Sequence, residues 1–114
     1  MRILVVGAGK VGAKVLLQLK KNPMIKAVTV DPRDRPPAVE DGVIETVDYH
    51  TELKLGELAE VIRQEKPELV LVTTSPEDIA RTGVPGIELL VEALKGELEA
   101  TTSVPIIAVS RNTS

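Results

Sequence analysis

The sequence predicts an α/β domain of three layers, with helices on both faces of a five-stranded, mainly parallel sheet ordered 3-2-1-4-5. Three observations predict it. Five short segments are rich in Val, Ile and Leu, several almost without polar interruption, as strands covered on both faces are. Amphipathic helical periods lie between most of them, and strands alternating with helices imply right-handed crossovers and a parallel sheet. The length, 114 residues, is that of one domain, here spanning residues 1–114.

The predicted strands are Arg2 to Val6, Lys26 to Val30, Val43 to Val47, Glu68 to Thr73 and Val104 to Val109. In the first helix Gly12, Val15, Leu16 and Leu19 recur at i, i+3, i+4 and i+7, which lines one face. Leu55, Leu58, Ala59 and Ile62 repeat that spacing in the second, and Ile87, Leu90, Val91, Leu94 and Leu98 form the stripe of the third. Asn22 and Pro23 stop the first helix just after Lys20 and Lys21, whose charges suit a helix C-terminus. Pro85 and Gly86 open the third. The stretch "DPRDRPPAVEDG" has three prolines and no amphipathic period, so it reads as a loop in place of a crossover helix.

With 43% hydrophobic and 27% charged residues the chain can build a core, and that core is aliphatic because there is one Tyr and no Phe or Trp. Scarce aromatics and a formal net charge of −3 argue against nucleic-acid binding, which uses stacking rings and a basic field. No apolar run approaches the roughly 20 residues that span a bilayer, and no signal-peptide pattern precedes Gly7, so membrane insertion is not expected and the expected address is the cytoplasm. The absence of cysteine removes disulfides, thiol nucleophiles and thiolate metal sites.

The first strand runs directly into Gly7-Ala8-Gly9-Lys10-Val11-Gly12 and then into helix, the G-x-G-x-x-G pattern in the context that gives it meaning. Gly7 lets the backbone leave the strand sharply. Gly9 lets a pyrophosphate approach the main chain, and Gly12 falls on the buried helical stripe, where a missing Cβ allows close packing. The amides and positive dipole end of the helix then face an anion. Asp31 closes "KAVTVD" 19 residues after Gly12, the distance at which an acid binds the ribose hydroxyls of an adenosine. Its charge favours NAD over NADP, although Arg33 and Arg35 follow closely enough to neutralise the extra phosphate of NADP. A phosphate-binding loop of the G-x-x-x-x-G-K-[ST] type is excluded by Ala13 and Val15. An S-adenosylmethionine site stays open as a minor alternative, though Val5 and Val6 stand where such proteins carry an acid.

"ILVVGAGKVGAKVLLQL" and "VTVD" resemble the Rossmann dinucleotide-binding superfamily, and within it two groups: the TrkA N-terminal type of nucleotide-binding domain, and the N-terminal cofactor domain of small dehydrogenases. The match covers Arg2 to Asp31. The resemblance implies an NAD-binding domain in which Gly7, Ala8, Gly9, Lys10, Val11, Gly12 and Asp31 meet the cofactor, with Arg33 beside them and Thr73, Thr74 and Ser75 passing alongside. It implies two uses: the cofactor unit of an oxidoreductase whose substrate part lies elsewhere, or a non-catalytic nucleotide sensor. A homodimer or a second substrate or effector domain is the partner expected in either case. The departures are the proline-rich loop and an end soon after the fifth strand.

No catalytic residue is assigned, because no base is paired with a nucleophile by a recognisable spacing. His50, the only histidine, supports no His-based metal cluster and reads as a solvated loop residue. Asp48 and Tyr49 beside it are read either as groups reaching an adenine edge or as polar residues at a helix start. "TTSPEDIARTG" follows the fourth strand at the sheet edge where open parallel sheets bind ligands; Ser75-Pro76-Glu77-Asp78 serves equally as a helix opening.

Overall fold

The structure is a computed structural model that describes residues 1–73, 87–98 and 104–109. Its elements run β1 (Arg2–Val6), α1 (Lys10–Leu19), β2 (Lys26–Val30), α2 (Pro37–Glu40), α3 (Leu55–Glu65), β3 (Leu69–Val72), α4 (Ile87–Leu98) and β4 (Ile106–Ala108). The sheet has four strands in the order β2-β1-β3-β4, and every neighbouring pair is parallel. The register sets Val6 beside both Val30 and Val72, so β1 ends level with its neighbours. The first βα turn therefore emerges between the C-terminal ends of β2 and β3.

Helical periodicity is realised as expected from the aliphatic stripes. Leu16, with Gly12 and Ala13, buries one side of α1 against Ile3 and Val5 on one sheet face. Leu58, Ala59, Val61 and Ile62 of α3, with Leu90, Val91, Leu94 and Leu98 of α4, cover the other face over Leu4, Val6, Val28, Val30, Val70 and Val72. Every buried side chain of these clusters is aliphatic, and burial of each large one contributes on the order of 1.5–3 kcal/mol.

The expected fifth strand is not formed, which corrects both the count and the 3-2-1-4-5 order. Val43 to Val47 alternates like a strand, yet the amides of Val43 and Ile44 donate to Ala38 O at 2.9 and 3.2 Å, which ties the segment to α2. Gly42 makes the necessary bend with φ +75°. The chain meets β2 just beyond the segment, at Tyr49. Tyr49 N–H donates to Thr29 O at 2.9 Å and accepts at its own carbonyl from Asp31 N–H at 3.1 Å. The Asp48 carboxylate, rather than a backbone carbonyl, takes Thr29 N–H at 2.9 Å. Between this segment, α1 and β2 lies an open groove of about 560 Å³, lined by Leu16, Leu19, Ile25, Ala27, Val43 and Ile44.

The proline-rich stretch is also corrected. It holds the one-turn helix α2, opened by Pro36 and Pro37, whose fixed φ suits a first helical turn. Ala38 N–H donates to Ala8 O at 3.0 Å, so α2 abuts the first βα turn.

Candidate functional site

The turn after β1 has a floor set by the fold. Gly7 adopts φ +98°, a conformation costly to any residue with a Cβ, and its N–H donates to Val30 O at 2.8 Å. Thr73, 2% exposed, sits beneath it: its N–H donates to Val6 O, and its hydroxyl lies 2.7 Å from Gly7 O and 3.0 Å from Val6 O. A Cβ on Gly12 would stand 2.1 Å from Gly7 O and 2.9 Å from Thr73 Oγ1. The first turn of α1 is thus pressed onto the glycine corner, and a glycine there is a steric necessity. Thr73 spends its hydroxyl on this corner.

Gly9 differs. Its φ is −76°, open to any residue, and a Cβ there would meet only the Arg33 guanidinium, at 3.4 Å. As the N-cap of α1 it supplies no side-chain acceptor, and the first turn carries no acid. A helix begins with amides that its own carbonyls do not reach. Those of Gly9, Lys10 and Val11 have no acceptor among the described residues, whereas Gly7 and Ala8 have already given theirs to Val30 O and Asp31. The roof of the turn is therefore a short row of amide donors at the positive end of a helix, with Lys10 exposed beside it.

Asp31 follows β2 and is wholly buried, at 0% exposure. Oδ2 accepts from Ala8 N–H at 2.8 Å and from Arg33 Nη2 at 2.9 Å. Oδ1 accepts from Arg33 N–H and from Arg33 Nε, both at 2.9 Å. A carboxylate has about four acceptor directions, and here all are used. Burial alone raises the carboxyl's pKa, but the Arg33 side chain and the two backbone amides outweigh it, so the pKa lies below the ordinary value of 3.8. Asp31 consequently stays ionised, holding the guanidinium over Gly9.

The other candidates disperse. Thr74 and Ser75 lie outside the described residues, as do Glu77, Asp78 and Arg81. His50 is exposed, with Nε2 3.1 Å from Asp34 Oδ1. Asp48 is spent on Thr29, and the Tyr49 hydroxyl on Glu65, so neither sits at a helix start or at the glycine turn. Arg35 pairs with Glu40 at 3.1 Å. Among the described residues no three His, Cys, Asp or Glu side chains gather as a metal site, and no helix is long and apolar enough to cross a membrane.

Sequence reasoning missed that Arg33 is the partner of Asp31. The signal was present: an aspartate accepting the amide two residues on is a common turn device, and Pro32 between them narrows the backbone.

No protein-family profile and no curated protein matches the chain. Among solved structures it is similar to the crystal structure of N5-carboxyaminoimidazole ribonucleotide synthetase from Thermotoga maritima, with a TM-score of 0.57 at 16% identity. The similarity covers 92% of this chain and 24% of the synthetase, so the chain spans about a quarter of that protein's length. A likeness so distant shows the fold alone, a parallel α/β sheet with helices on both faces.

The expectation of an NAD-binding unit, whether of an oxidoreductase or of a nucleotide sensor, is overturned. A solved structure that shares the fold is a synthetase and not an oxidoreductase. The carboxylate that would have read the adenosine ribose has no acceptor direction left for it. The NAD reading and the S-adenosylmethionine alternative both relied on that acid as a ribose acceptor, and Asp31 is instead spent on Ala8 and Arg33.

Proposed function

We propose that the Gly7–Gly12 turn holds the phosphate of a sugar-phosphate monoester, and that the domain is a non-redox binding unit acting with further protein that supplies the rest of any reaction. The observation that carries this reading is Gly9. Gly7 and Gly12 are required by the fold, one by its positive φ and one by the 2.1 Å approach to Gly7 O. Gly9 is required by neither, yet its missing side chain leaves the donor row of Gly9, Lys10 and Val11 open to an incoming group.

The charges agree with a single anion. Asp31 and Arg33 neutralise each other, which leaves the helix dipole and Lys10 as the local field. Gly7, Ala8, Gly12 and Thr73 shape the corner without touching the ligand; Thr74 and Ser75, next along the chain, are the hydroxyls proposed to meet the sugar. The ribonucleotide in the name of the structural neighbour contains such a phosphorylated sugar, which supports the ligand class.

Calorimetric titration with ribose 5-phosphate and with inorganic phosphate tests it. Wild type is expected to bind the ester more tightly than phosphate, and Gly9→Val, its fold checked by circular dichroism, is expected to lose about tenfold or more in affinity, on the order of 1.4 kcal/mol. Absence of ester binding, or equal binding by Gly9→Val, overturns the reading.

A further inference from the structure

We infer that the Asp48 carboxylate is a stop on the edge of the sheet. It ends a parallel ladder at Tyr49 and holds Val43 to Val47 away from β2 as a strap, which closes on that strand and fills the groove when the stop is released. The inference is independent of the phosphate reading above.

The ladder begins and is then interrupted. Tyr49 faces Val30 as in a parallel pair: its N–H donates to Thr29 O, and its carbonyl accepts from Asp31 N–H. Two residues back, the same pattern would set Val47 beside Val28, with Thr29 N–H donating to Val47 O and Val47 N–H to Ala27 O. The first of these donors is already taken. Thr29 N–H donates to Asp48 Oδ2 at 2.9 Å, the Thr29 hydroxyl donates to the same oxygen at 3.1 Å, and Asp48 N–H donates to Thr29 Oγ1 at 3.1 Å. A carboxylate is a stronger acceptor than a peptide carbonyl, so the side chain displaces the backbone from its place.

Behind the stop the edge is unfinished. Backbone groups of successive β2 residues point to alternate sides; Lys26 N–H and Val30 O bond toward β1, so those of Ala27 and Thr29 point outward. Thr29 is served by Asp48 and Tyr49, whereas the N–H and carbonyl of Ala27 meet no partner among the described residues. Ala27 lines the groove. Across it, the strap is held at its near end, where Val43 and Ile44 donate to Ala38 O and Val43 O accepts from Lys20 Nζ at 2.9 Å. The amides of Glu45, Thr46 and Val47 that follow have no acceptor among the described residues. Edge and strap thus carry matching unused groups.

The side chains of the strap fit the closed place. In the register begun at Tyr49, Ile44 would lie beside Ile25 and Thr46 beside Ala27, on the α1 face where Ile25, Ala27 and Ile44 already pack. Val47 would join Tyr49 on the opposite face, beside Val28 and Val30. Glu45 would stand beside Lys26, a pair of opposite charge. A slip of one residue would reverse every one of these faces.

Amide hydrogen exchange, read residue by residue by NMR in wild type, Asp48→Ala and Thr29→Val, tests the stop. In wild type the Ala27 amide is expected to exchange close to the rate of an unprotected amide. Asp48→Ala gives Thr29 N–H to Val47 O and Ala27 N–H to Glu45 O, and exchange at Ala27 is expected to slow by about tenfold or more. Thr29→Val keeps the strand and removes the hydroxyl that holds Asp48, so a smaller slowing at Ala27 is expected. An Ala27 amide already protected in wild type, or one that is no slower in Asp48→Ala, overturns the inference. If Asp48→Ala does not fold, Thr29→Val decides: slower exchange at Ala27 supports the stop, and an unchanged rate overturns it.

Discussion

The floor and the roof of the first βα turn are built from glycines of one motif, yet they answer to different constraints. On the floor, Gly7 and Gly12 are dictated by geometry: a positive φ in one case, and in the other a helix so close that a Cβ would overlap a carbonyl. On the roof, Gly9 has an ordinary φ, and a Cβ there would meet one side-chain atom, Arg33 Nη2, at 3.4 Å. A glycine that the fold does not need is better evidence of a ligand than one it does. The same contrast separates two acids that end near β2: Asp48 replaces a missing ladder bond at the strand's edge, whereas Asp31 organises the roof.

The largest effect that would sharpen this contrast is expected of Gly12→Ala. Its methyl group must push α1 off the corner, because the atom it meets is backbone, and a loss of about 3 kcal/mol follows from overpacking of this kind. Urea unfolding measures it; a loss below about 1 kcal/mol would show that α1 moves away freely. Asp31→Ala comes next, at about 2 kcal/mol, since it strands the Ala8 amide in the interior and releases Arg33. The same unfolding measurement, with Asp31→Asn as the isosteric comparison, checks it.

A smaller effect is expected from acid. The pKa of Asp31 is lowered by folding, so its charge stabilises the native state fully above the unfolded value near 3.8. That stability is lost as pH falls from about 3.8 through the still lower native value. The stability difference between wild type and Asp31→Asn should therefore be constant near neutrality and shrink below pH about 4, as read by denaturant unfolding at stepped pH. A difference that stays constant down to pH about 2.5 would show that the carboxylate's charge adds nothing.

The smallest effect belongs to the roof. Gly9→Ala should change stability by no more than about 0.5 kcal/mol, because φ −76° suits alanine and its Cβ would meet Arg33 Nη2 at 3.4 Å, at the edge of ordinary van der Waals contact. A thermal melt decides it. A loss comparable to that of Gly12→Ala would erase the distinction between floor and roof.

Much of this was legible in the chain. Arg2–Val6 and Lys26–Val30 appear as strands with the bounds their aliphatic runs suggest, and the stripes through Leu16, Leu58 and Leu94 mark buried helix faces. These succeed because periodicity is local: a residue three or four positions on shares a helix face whatever the rest of the molecule does. Val43 to Val47 reads as a strand for the same local reason. It is not one because Ala38 O captures two of its amides and the Asp48 side chain satisfies β2 in its place.

By itself the sequence determined the alternation of strands and helices, the aliphatic core and the place of the glycine corner. Only the tertiary structure decided that four strands form the sheet, that Thr73 braces the corner from below, and that Asp31 faces inward. The reason is that spacing along a chain specifies where a carboxylate is attached but not which donors the fold brings to it. Once Ala8 and Arg33 fill every acceptor direction of Asp31, an acid placed at the ribose-binding interval becomes part of the frame.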